Sequence, residues 1–319
     1  AELDTRGVGK RYIRRNVSHN SRGFDHRWHS PHTKLARCCF PCSARCNGLP
    51  QLLLALAFWS PVEPPVLANG RDATLKAFKE MELATLSNNS VVVIPARLES
   101  TRLPRKVLAD ICGWPMVRHV YERCKQAALP SSVLVATDSE EIAANVAAWG
   151  GSVAMTSPDC TCGTERIASI AEQLDADIIV NVQGDEPLIA PVLVDQLIRA
   201  TVETGADMVI PVRKITSFEV LMSPTVVKAV LGRGGDVLYF SRSPVPFIRD
   251  VEPRDWLEYH DFWVVVGTAA FRKQALLAYR TWPEDRLEQL EKIEQLRFLA
   301  AGMRIATIQT EMDSIAVDV

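Results

Sequence analysis

From residue 91 onward, short apolar runs alternate with longer segments whose apolar residues recur at helical spacing. Val91–Pro95 is a run of five apolar residues, which is typical of a strand buried on both faces. The same pattern predicts further strands at Val133–Ala136, Ser152–Met155, Ile178–Val182 and Asp207–Val212. It predicts helices at Met116–Ala128, Glu140–Trp149, Thr164–Leu174 and Leu193–Thr204. This alternation predicts an α/β fold with a mostly parallel central sheet and helices on both faces, as in Rossmann-like proteins.

The pattern changes after about residue 213, where we expect a smaller mixed α/β part. Strands are predicted at Thr225–Leu231, Val237–Phe240, Trp263–Phe271 and Ile305–Gln309. A long amphipathic helix is predicted at Leu287–Ala301. Its expected inward side chains are Leu287, Leu290, Ile293, Leu296 and Phe298, and its expected polar side holds Glu288, Glu291 and Gln295.

The first 88 residues lack the periodicity of a folded domain. Residues 1–50 hold ten Lys/Arg and three Asp/Glu, so they carry about +7 of charge and leave about −9 on the remainder. Cys39, Cys42 and Cys46 have a spacing that suggests zinc, but no second matching pair follows. An Arg-rich, acidic-poor segment followed by the apolar patch Leu52–Phe58 is also typical of a targeting peptide.

The first methionine of the chain is Met81, a few polar residues before the first predicted strand. We therefore expect residues 1–88 to be a basic extension that is disordered or non-native, with a transit peptide as the alternative. Residues 89–319 are expected to form the functional domain.

Composition excludes several classes of protein. Hydrophobic residues make up 47% and charged residues 23% of the chain, as in ordinary globular proteins. The longest apolar run, Leu52–Trp59, is too short to span a bilayer, so no membrane partner is expected. The cysteines after residue 50 are scattered through α/β sequence, and this arrangement favours a reducing compartment over a disulfide framework.

A cationic segment follows the first predicted strand directly. Arg97, Arg102 and Lys106 lie within ten residues among Pro and Ser. Neither a P-loop nor a GxGxxG fingerprint is present, so side-chain cations rather than a glycine cradle would hold phosphates. Arg offers a planar two-pronged donor and Lys a compact charge, and both suit a triphosphate. Each cation alone would be an ordinary surface charge.

Two carboxylates are candidates for a metal site. Asp185 follows the predicted strand Ile178–Val182, where open α/β sheets bind nucleotides, and carboxylates there commonly hold Mg²⁺ against phosphates. Asp318 follows the strand-like segment Ser314–Val317 and could share the metal. A turn cap for Asp185 and a fraying terminus for Asp318 are the structural alternatives.

Taken together, these stretches resemble the 3-deoxy-manno-octulosonate (Kdo) cytidylyltransferases, a family of sugar-activating nucleotidyltransferases. The resemblance runs from about Val91 to Val319 and rests on several blocks in family order. The blocks are IPARLESTRLPRK, ATD at 136–138, CGTER at 162–166, NVQGDEP at 181–187, VK at 227–228, LYFSR at 238–242 and LEQLEKIEQLR at 287–297. The terminal SIAVDV is similar to the start of the family's closing V-D-T-P-E-D segment, which we expect to be cut short here.

The resemblance implies a role for each matching residue. Residues implied in CTP binding are Ala96, Arg97, Arg102, Lys106, Gly163, Thr164, Arg166 and Asp185. Residues implied in sugar binding are Gln183, Tyr239, Ser241, Arg242, Glu291 and Gln295, with Arg242 suited to the sugar carboxylate. Lys106, Asp185 and Asp318 would be catalytic, and Asp185 and Asp318 would hold Mg²⁺.

The implied reaction transfers CMP from CTP to the anomeric hydroxyl of Kdo, an acidic eight-carbon sugar. It yields CMP-Kdo and pyrophosphate for lipopolysaccharide or cell-wall polysaccharide synthesis. Such a reaction depends on positioning and charge neutralisation rather than on a covalent nucleophile. The resemblance also implies a homodimer, whose interface we expect in residues 225–271. A start at Met81 favours a cytoplasmic location, with an organelle as the alternative if the extension is a transit peptide. No nucleic-acid partner is expected.

The chain departs from the family pattern at the expected sugar side. Val265 and Ala269 stand where the family usually has His and Tyr, and Cys160 and Cys162 stand where it usually has His and Ser. Two alternatives follow from these departures. One is a cytidylyltransferase for another acidic sugar, such as 8-amino-Kdo or sialic acid, and the other is a degenerate copy that binds nucleotide without turnover.

Overall fold

The structure is a computed structural model that describes residues 89–98, 104–312 and 316–317. The expected basic extension, including its cysteine cluster and apolar patch, lies outside the described residues. The strands are β1 (Ser90–Ala96), β2 (Asp110–Ile111), β3 (Trp114–Pro115), β4 (Ser132–Thr137), β5 (Val153–Met155), β6 (Ile178–Asn181), β7 (Met208–Lys214), β8 (Lys228–Leu231), β9 (Val237–Ser241), β10 (Trp263–Val265), β11 (Ala269–Arg272) and β12 (Ile305–Gln309). The helices are α1 (Met116–Cys124), α2 (Glu140–Ala148), α3 (Gly163–Ile170), α4 (Pro191–Thr204), α5 (Phe218–Met222), α6 (Trp256–Tyr259), α7 (Lys273–Tyr279), α8 (Arg286–Glu291) and α9 (Gln295–Ala300).

One large mixed sheet runs through the described part of the chain. Its order is β5-β4-β1-β6-β11-β7-β10-β8-β9, and β12 also pairs with β7. β1 pairs in parallel with β4 and β6, β4 with β5, and β7 with β12. β11 runs antiparallel between β6 and β7. The predicted α/β architecture with mostly parallel central strands is therefore confirmed.

β1 is buried on both faces of the sheet, as its unbroken apolar sequence predicts. Val92 and Ile94 belong to one core cluster, together with residues of α1 and α4. Val91 and Val93 belong to the opposite cluster, together with residues of α3 and α7. Because successive side chains of a strand point to opposite faces, only a continuous apolar run can fill both cores.

The prediction of one strand at Trp263–Phe271 is wrong. The segment forms two strands, because Val265 pairs with Val212 whereas Ala270 pairs with Val209. Val265 and Ala270 are five positions apart, whereas their partners on β7 are only three positions apart. The chain therefore bulges between β10 and β11. Gly267 lies in the bulge, where a Cβ atom would be 2.4 Å from Glu186 Oε1.

The prediction of one long helix at Leu287–Ala301 is also wrong. α8 ends at Glu291, its C-cap residue Lys292 has a left-handed φ of 55°, and α9 begins at Gln295. Leu287 and Leu290 are 44% and 68% exposed, so these two expected core residues face outward, whereas Ile293, Leu296 and Phe298 are buried. The expected polar side is not continuous either, because Glu288 is buried in an ion pair with Arg297.

Several short elements have no clear signal in the sequence pattern. They are the β2–β3 hairpin and the helices α5, α6 and α7. A third, small core cluster forms beside α5 and α6 from Ile215, Leu221, Trp256 and Phe262. None of the helices in the described part of the chain combines the length and apolar character that a bilayer-spanning segment needs.

Candidate active site

The carboxyl ends of β1 and β6 border a cavity of about 290 Å³, the first cavity. Because β1 and β6 are parallel neighbours, the residues that follow them emerge at the same edge of the sheet. The lining residues are Pro95, Ala96, Arg97, Lys106, Val107, Cys160, Thr161, Cys162, Gly163, Arg166, Gln183, Gly184, Asp185 and Glu294. The structure thus brings together segments that are spread over about 200 residues of the sequence.

Lys106 and Asp185 form an ion pair in the first cavity. Lys106 Nζ lies 2.8 Å from Asp185 Oδ2. The Lys106 side chain is 10% exposed and the Asp185 side chain 32% exposed. Lys106 opens a 3₁₀ turn over Lys106–Leu108, and Asp185 follows β6 in the turn after Gln183. A mostly buried ammonium group is therefore held beside a carboxylate that still faces the cavity.

The structure places two of the three predicted phosphate-binding cations in this cavity. Arg97 follows β1 directly, is exposed and lines the cavity with Lys106. Arg102 lies outside the described residues.

The carboxyl-terminal segment returns to the same place. The Val317 backbone N–H donates a hydrogen bond of 2.9 Å to the Asp185 carbonyl oxygen. Asp318, the second predicted metal ligand, follows Val317 directly and lies outside the described residues. The end of the described chain is thus fixed beside the first predicted ligand.

The loop before α3 forms one wall of the cavity. Cys162 caps α3, and its Sγ accepts the Glu165 N–H at 3.4 Å. Gly163 approaches the β1 edge closely, because a Cβ atom there would lie 3.3 Å from Pro95 Cγ. Thr164 is buried behind it. A residue without a side chain therefore lets the start of α3 close against β1.

Arg166 lines the cavity with its charge already compensated. Its guanidinium donates to Thr156 Oγ1 at 2.5 Å and to Asp138 Oδ2 at 3.1 Å. Arg166 is 3% exposed. Asp138 belongs to the ATD block after β4, so two blocks that were noted separately in the sequence meet in one ion pair.

The Cys162 thiol is neutral near pH 7. Burial is the main cause that raises its pKa to about 12, and the nearby Glu294 carboxylate is a second one. The thiolate is the nucleophilic form of cysteine, so Cys162 serves as a helix cap and wall residue rather than as a nucleophile.

A second cavity of about 120 Å³ adjoins the first, and Gln183 and Glu294 line both. Its other lining residues are Thr164, Asn181, Val227, Gly267, Ala269, Phe271, Lys292, Ile293 and Gln295. Two predicted sugar-binding residues, Gln183 and Gln295, meet here. Glu294 was not among the predicted site residues, although it precedes Gln295 in the same block, because the helix break that positions it was not predicted.

Arg242 binds backbone carbonyl groups instead of lining either cavity. Its guanidinium donates to Glu291 O at 2.5 Å, Pro224 O at 2.9 Å, Lys292 O at 3.2 Å and Thr225 O at 3.4 Å. These contacts tie the end of β9 to the turn before β8 and to the break between α8 and α9. The side chain stabilises the wall that carries Lys292, Glu294 and Gln295.

The remaining predicted sugar-binding residues surround Arg242. Ser241 Oγ donates to Glu291 Oε1 at 2.9 Å, and the Arg242 N–H donates to Glu291 Oε2 at 2.9 Å. Burial, together with the Glu291 and Asp285 carboxylates, raises the pKa of Tyr239. Neither cavity is lined by these four predicted residues, Tyr239, Ser241, Arg242 and Glu291.

Asp185 has the chemistry that a magnesium ion shared with phosphates requires. Mg²⁺ is usually held by one or two carboxylates, substrate phosphates and water. Within residues 89–98, 104–312 and 316–317, no group of three or more His, Cys, Asp or Glu side chains could hold a metal. Asp185 Oδ2 accepts from Lys106, whereas Oδ1 accepts no hydrogen bond from the described residues. This donor set fits a metal that the protein binds together with its substrate.

The chain is similar to known proteins over most of its described part. The family model described as "Cytidylyltransferase" matches residues 91–305. The chain is 47% identical over 236 residues to a Geobacter metallireducens protein named 3-deoxy-manno-octulosonate cytidylyltransferase, covering 71% of this chain and 91% of that protein. A Chloroherpeton thalassium protein of the same name is 42% identical over 233 residues, covering 72% of this chain and 92% of that protein.

A solved structure is similar in both fold and sequence. It is CMP:2-keto-3-deoxy-manno-octonic acid synthetase complexed with CTP, with a TM-score of 0.68 and 39% identity. The match covers 72% of this chain and 93% of that protein.

Proposed function

The chain belongs to the cytidylyltransferase family, and we propose that it transfers CMP from CTP to the anomeric hydroxyl of Kdo with release of pyrophosphate. One observation carries this proposal: Lys106 and Asp185 meet 2.8 Å apart in the cavity between the ends of β1 and β6. The geometry provides a fixed cation for phosphate oxygens and a carboxylate for a metal, as nucleotidyl transfer requires.

The first cavity would hold the nucleotide. Arg97 and Lys106 would bind the triphosphate, and Arg102 is proposed to join them from its place in the same block. Ala96, Gly163 and Thr164 would shape the wall, because Gly163 lets the start of α3 approach β1 closely. Arg166, held by Asp138, would keep that wall rigid.

The second cavity would hold the sugar. Gln183 and Glu294 line both cavities, so they would contact a sugar whose anomeric hydroxyl faces the CTP α-phosphate. Gln295 and Lys292 would bind the more distant part of the sugar. The resemblance also implies sugar-binding roles for Tyr239, Ser241, Arg242 and Glu291. These residues would support the wall from behind, and they would contact the sugar only if it displaced their present hydrogen-bond partners.

In the reaction, the anomeric oxygen of Kdo bonds to the α-phosphorus of CTP, and the bond from that phosphorus to the bridging oxygen of the β-phosphate breaks. Pyrophosphate leaves, and the proton of the attacking hydroxyl group passes to solvent or to a nearby base. The protein holds the two substrates in line and neutralises the charge that builds on the phosphates. The Lys106 ammonium would stabilise the phosphoryl oxygens in this step.

Asp185 and Asp318 are proposed to hold Mg²⁺. Bound there with the triphosphate, the metal would supply positive charge to the reacting phosphate and lower the pKa of the attacking hydroxyl. The hydrogen bond from Val317 to the Asp185 carbonyl supports the pairing of these two residues.

We also propose that the protein is a cytoplasmic homodimer and that its activated sugar is used in polysaccharide synthesis. Cys112, Cys124, Cys160 and Cys162 are free thiols, which supports a reducing compartment. Leu238, Phe247 and Tyr259 are 64%, 73% and 67% exposed in the segment where the interface is expected. A second copy of the chain would cover these apolar side chains. Light scattering of the purified chain would give the mass of a dimer if this holds and of a monomer if it fails.

Pyrophosphate release tests the main function. The full chain is incubated with CTP and Mg²⁺ and with Kdo, 8-amino-Kdo or sialic acid in separate reactions. We expect release with Kdo. Release with sialic acid but not with Kdo would overturn the substrate, and CTP binding without release for any sugar would indicate a degenerate copy.

A further inference from the structure

Glu186 joins the turn that carries Asp185 to the bulge between β10 and β11. Glu186 is 3% exposed and directly follows Asp185 in the chain. Its backbone N–H donates to the Gln183 carbonyl oxygen at 3.2 Å, so the turn from Gln183 to Glu186 is closed by a hydrogen bond. Gln183 and Asp185 line the first cavity, whereas Glu186 lines neither of the two cavities. Its side chain is therefore buried behind the site.

This buried carboxyl group contacts two consecutive residues of the bulge. Thr268 Oγ1 donates to Glu186 Oε2 at 2.9 Å, and Thr268 is 1% exposed. Gly267 approaches the other oxygen so closely that a Cβ atom would lie 2.4 Å from Glu186 Oε1. A buried acceptor is costly to leave without its donor, so the hydrogen bond resists any movement of the bulge away from Glu186.

The bulge forms part of the wall of the second cavity. Gly267 and Ala269 line this cavity, and Thr268 between them does not. Gly267 and Thr268 belong to no strand, so the hydrogen bonds of the sheet do not fix their place. The contact with Glu186 supplies that restraint. One buried carboxyl group thus connects the turn of the first cavity to the wall of the second.

We propose that Glu186 and Thr268 are positioning residues for the transfer of CMP, because their hydrogen bond fixes the wall of the second cavity against the turn that carries Asp185. This inference rests on the proposed function and adds two residues that line neither cavity. In-line displacement requires the attacking oxygen to be held close to the phosphorus, and a misplacement of about 1 Å can cost about 10²-fold in rate. Loss of the hydrogen bond should therefore reduce turnover of the sugar more than it weakens binding of CTP.

The test replaces the Thr268 hydroxyl group by a methyl group in the full chain. In Thr268→Val, kcat/KM for Kdo in pyrophosphate release, with CTP and Mg²⁺, should fall by about 10–100-fold. The Kd for CTP, measured by calorimetry without sugar, should stay close to the wild-type value. Thr268→Ser keeps the hydroxyl group and should restore most of the lost turnover.

Thr201→Val is the matched control, because it removes another buried hydroxyl group far from the bulge in sequence. Thr201 is 0% exposed, and its Oγ1 donates to Leu197 O at 2.8 Å within α4. Thr201 lines neither cavity. Urea denaturation of both variants compares their stability. We expect Thr201→Val to keep kcat/KM for Kdo close to the wild-type value even though it also loses a buried hydrogen bond.

Gly267→Ala carries the test if Thr268→Val does not fold. Its methyl group would meet Glu186 Oε1, so the bulge or the carboxyl group must move, and we expect the same loss for Kdo with unchanged CTP affinity. Wild-type kcat/KM in folded Thr268→Val or Gly267→Ala would overturn the inference and leave the proposed function intact. An equal loss in Thr201→Val, or a matching loss of CTP affinity, would do the same. No pyrophosphate release from the wild type with any sugar would overturn the proposed function and this inference with it.

Discussion

The Lys106 ammonium nitrogen lies 2.8 Å from the Asp185 carboxylate, although the two residues are 79 positions apart in the sequence. β1 and β6 bring them together, because parallel neighbours end at one edge of the sheet. The carboxylate holds the ammonium group in place before any phosphate arrives, so the protein has already met the entropic cost of orienting this side chain.

Replacing Lys106 tests its contact with phosphate. Lys106→Met keeps most of the buried chain and removes the charge. We expect kcat for pyrophosphate release to fall by about 10²–10³, as when one preorganised electrostatic group is lost. CTP binding, measured by calorimetry, should weaken as well.

Lys125→Met is the control for that variant, because Lys125 lies after α1 and its side chain is 54% exposed. It should keep near-normal activity. Normal turnover in Lys106→Met would show that this ammonium group does not act on the substrate.

Arg242→Ala should lower the free energy of unfolding by about 1–3 kcal/mol, because several carbonyl groups lose a charged donor. Urea denaturation measures this loss. The KM for the sugar should rise more than the KM for CTP, since the clamp supports the wall of the second cavity. Arg249→Ala is the control, because the Arg249 side chain is 89% exposed. Unchanged stability with a raised sugar KM would instead indicate a direct sugar contact.

The break between α8 and α9 depends on a buried bidentate ion pair. Arg297 Nε and Nη2 donate to the Glu288 carboxylate at 2.6 and 2.7 Å. Glu288→Gln should cost about 3–5 kcal/mol, because the guanidinium is left buried without its counter-charge.

Glu288→Leu combined with Arg297→Met should cost less than Glu288→Gln alone, because no uncompensated charge remains. Chemical denaturation of the three proteins checks the order. A single variant that is as stable as the wild type would contradict the burial of this pair.

Cys162 should make the protein less stable in alkaline solution. Its pKa is raised from 9.0 to about 12, so the folded state holds the thiol proton more tightly than the unfolded state does. The stabilisation is complete below pH 9 and is lost as the pH rises towards 12, by at most about 1.4 kcal/mol per pH unit.

Cys162→Ser keeps a side chain that can cap α3 and removes the titrating thiol. Its unfolding free energy should therefore fall less steeply than that of the wild type between pH 9 and 11, as measured by urea midpoints. Parallel curves would show that the thiol is not protected. Cys124, whose pKa burial also raises to about 12, is present in both proteins and cancels from the comparison.

The first half of the fold could be predicted because a strand that is buried on both faces of a sheet has a continuous apolar sequence. β1, β4 and β6 are continuous apolar runs, and the polar residues that follow them had to meet at one edge. Lys106 and Asp185 were named on this basis and line one cavity, together with Gly163, which the family resemblance implied.

The second half could not be predicted to the same extent, because its elements depend on tertiary contacts. The sequence Leu287–Ala301 has helical periodicity throughout, yet the pair Glu288–Arg297 and the left-handed Lys292 divide it. Glu294 reaches both cavities only because of that break. Likewise, the bulge at Gly267 follows from its approach to Glu186, 81 positions earlier, which no local pattern reveals.

A double-mutant cycle on Lys106 and Asp185 tests the central claim, that both act on one metal-bound triphosphate. Single-turnover pyrophosphate release is measured for the wild type, Lys106→Met, Asp185→Asn and the double variant at saturating CTP and Kdo. We predict that the double variant is hardly slower than the slower single variant, because groups that act as a unit are strongly non-additive. A double variant whose fold-loss in rate equals the product of the two single-variant losses would contradict the account. An Asp185→Asn protein with the wild-type rate would also contradict it.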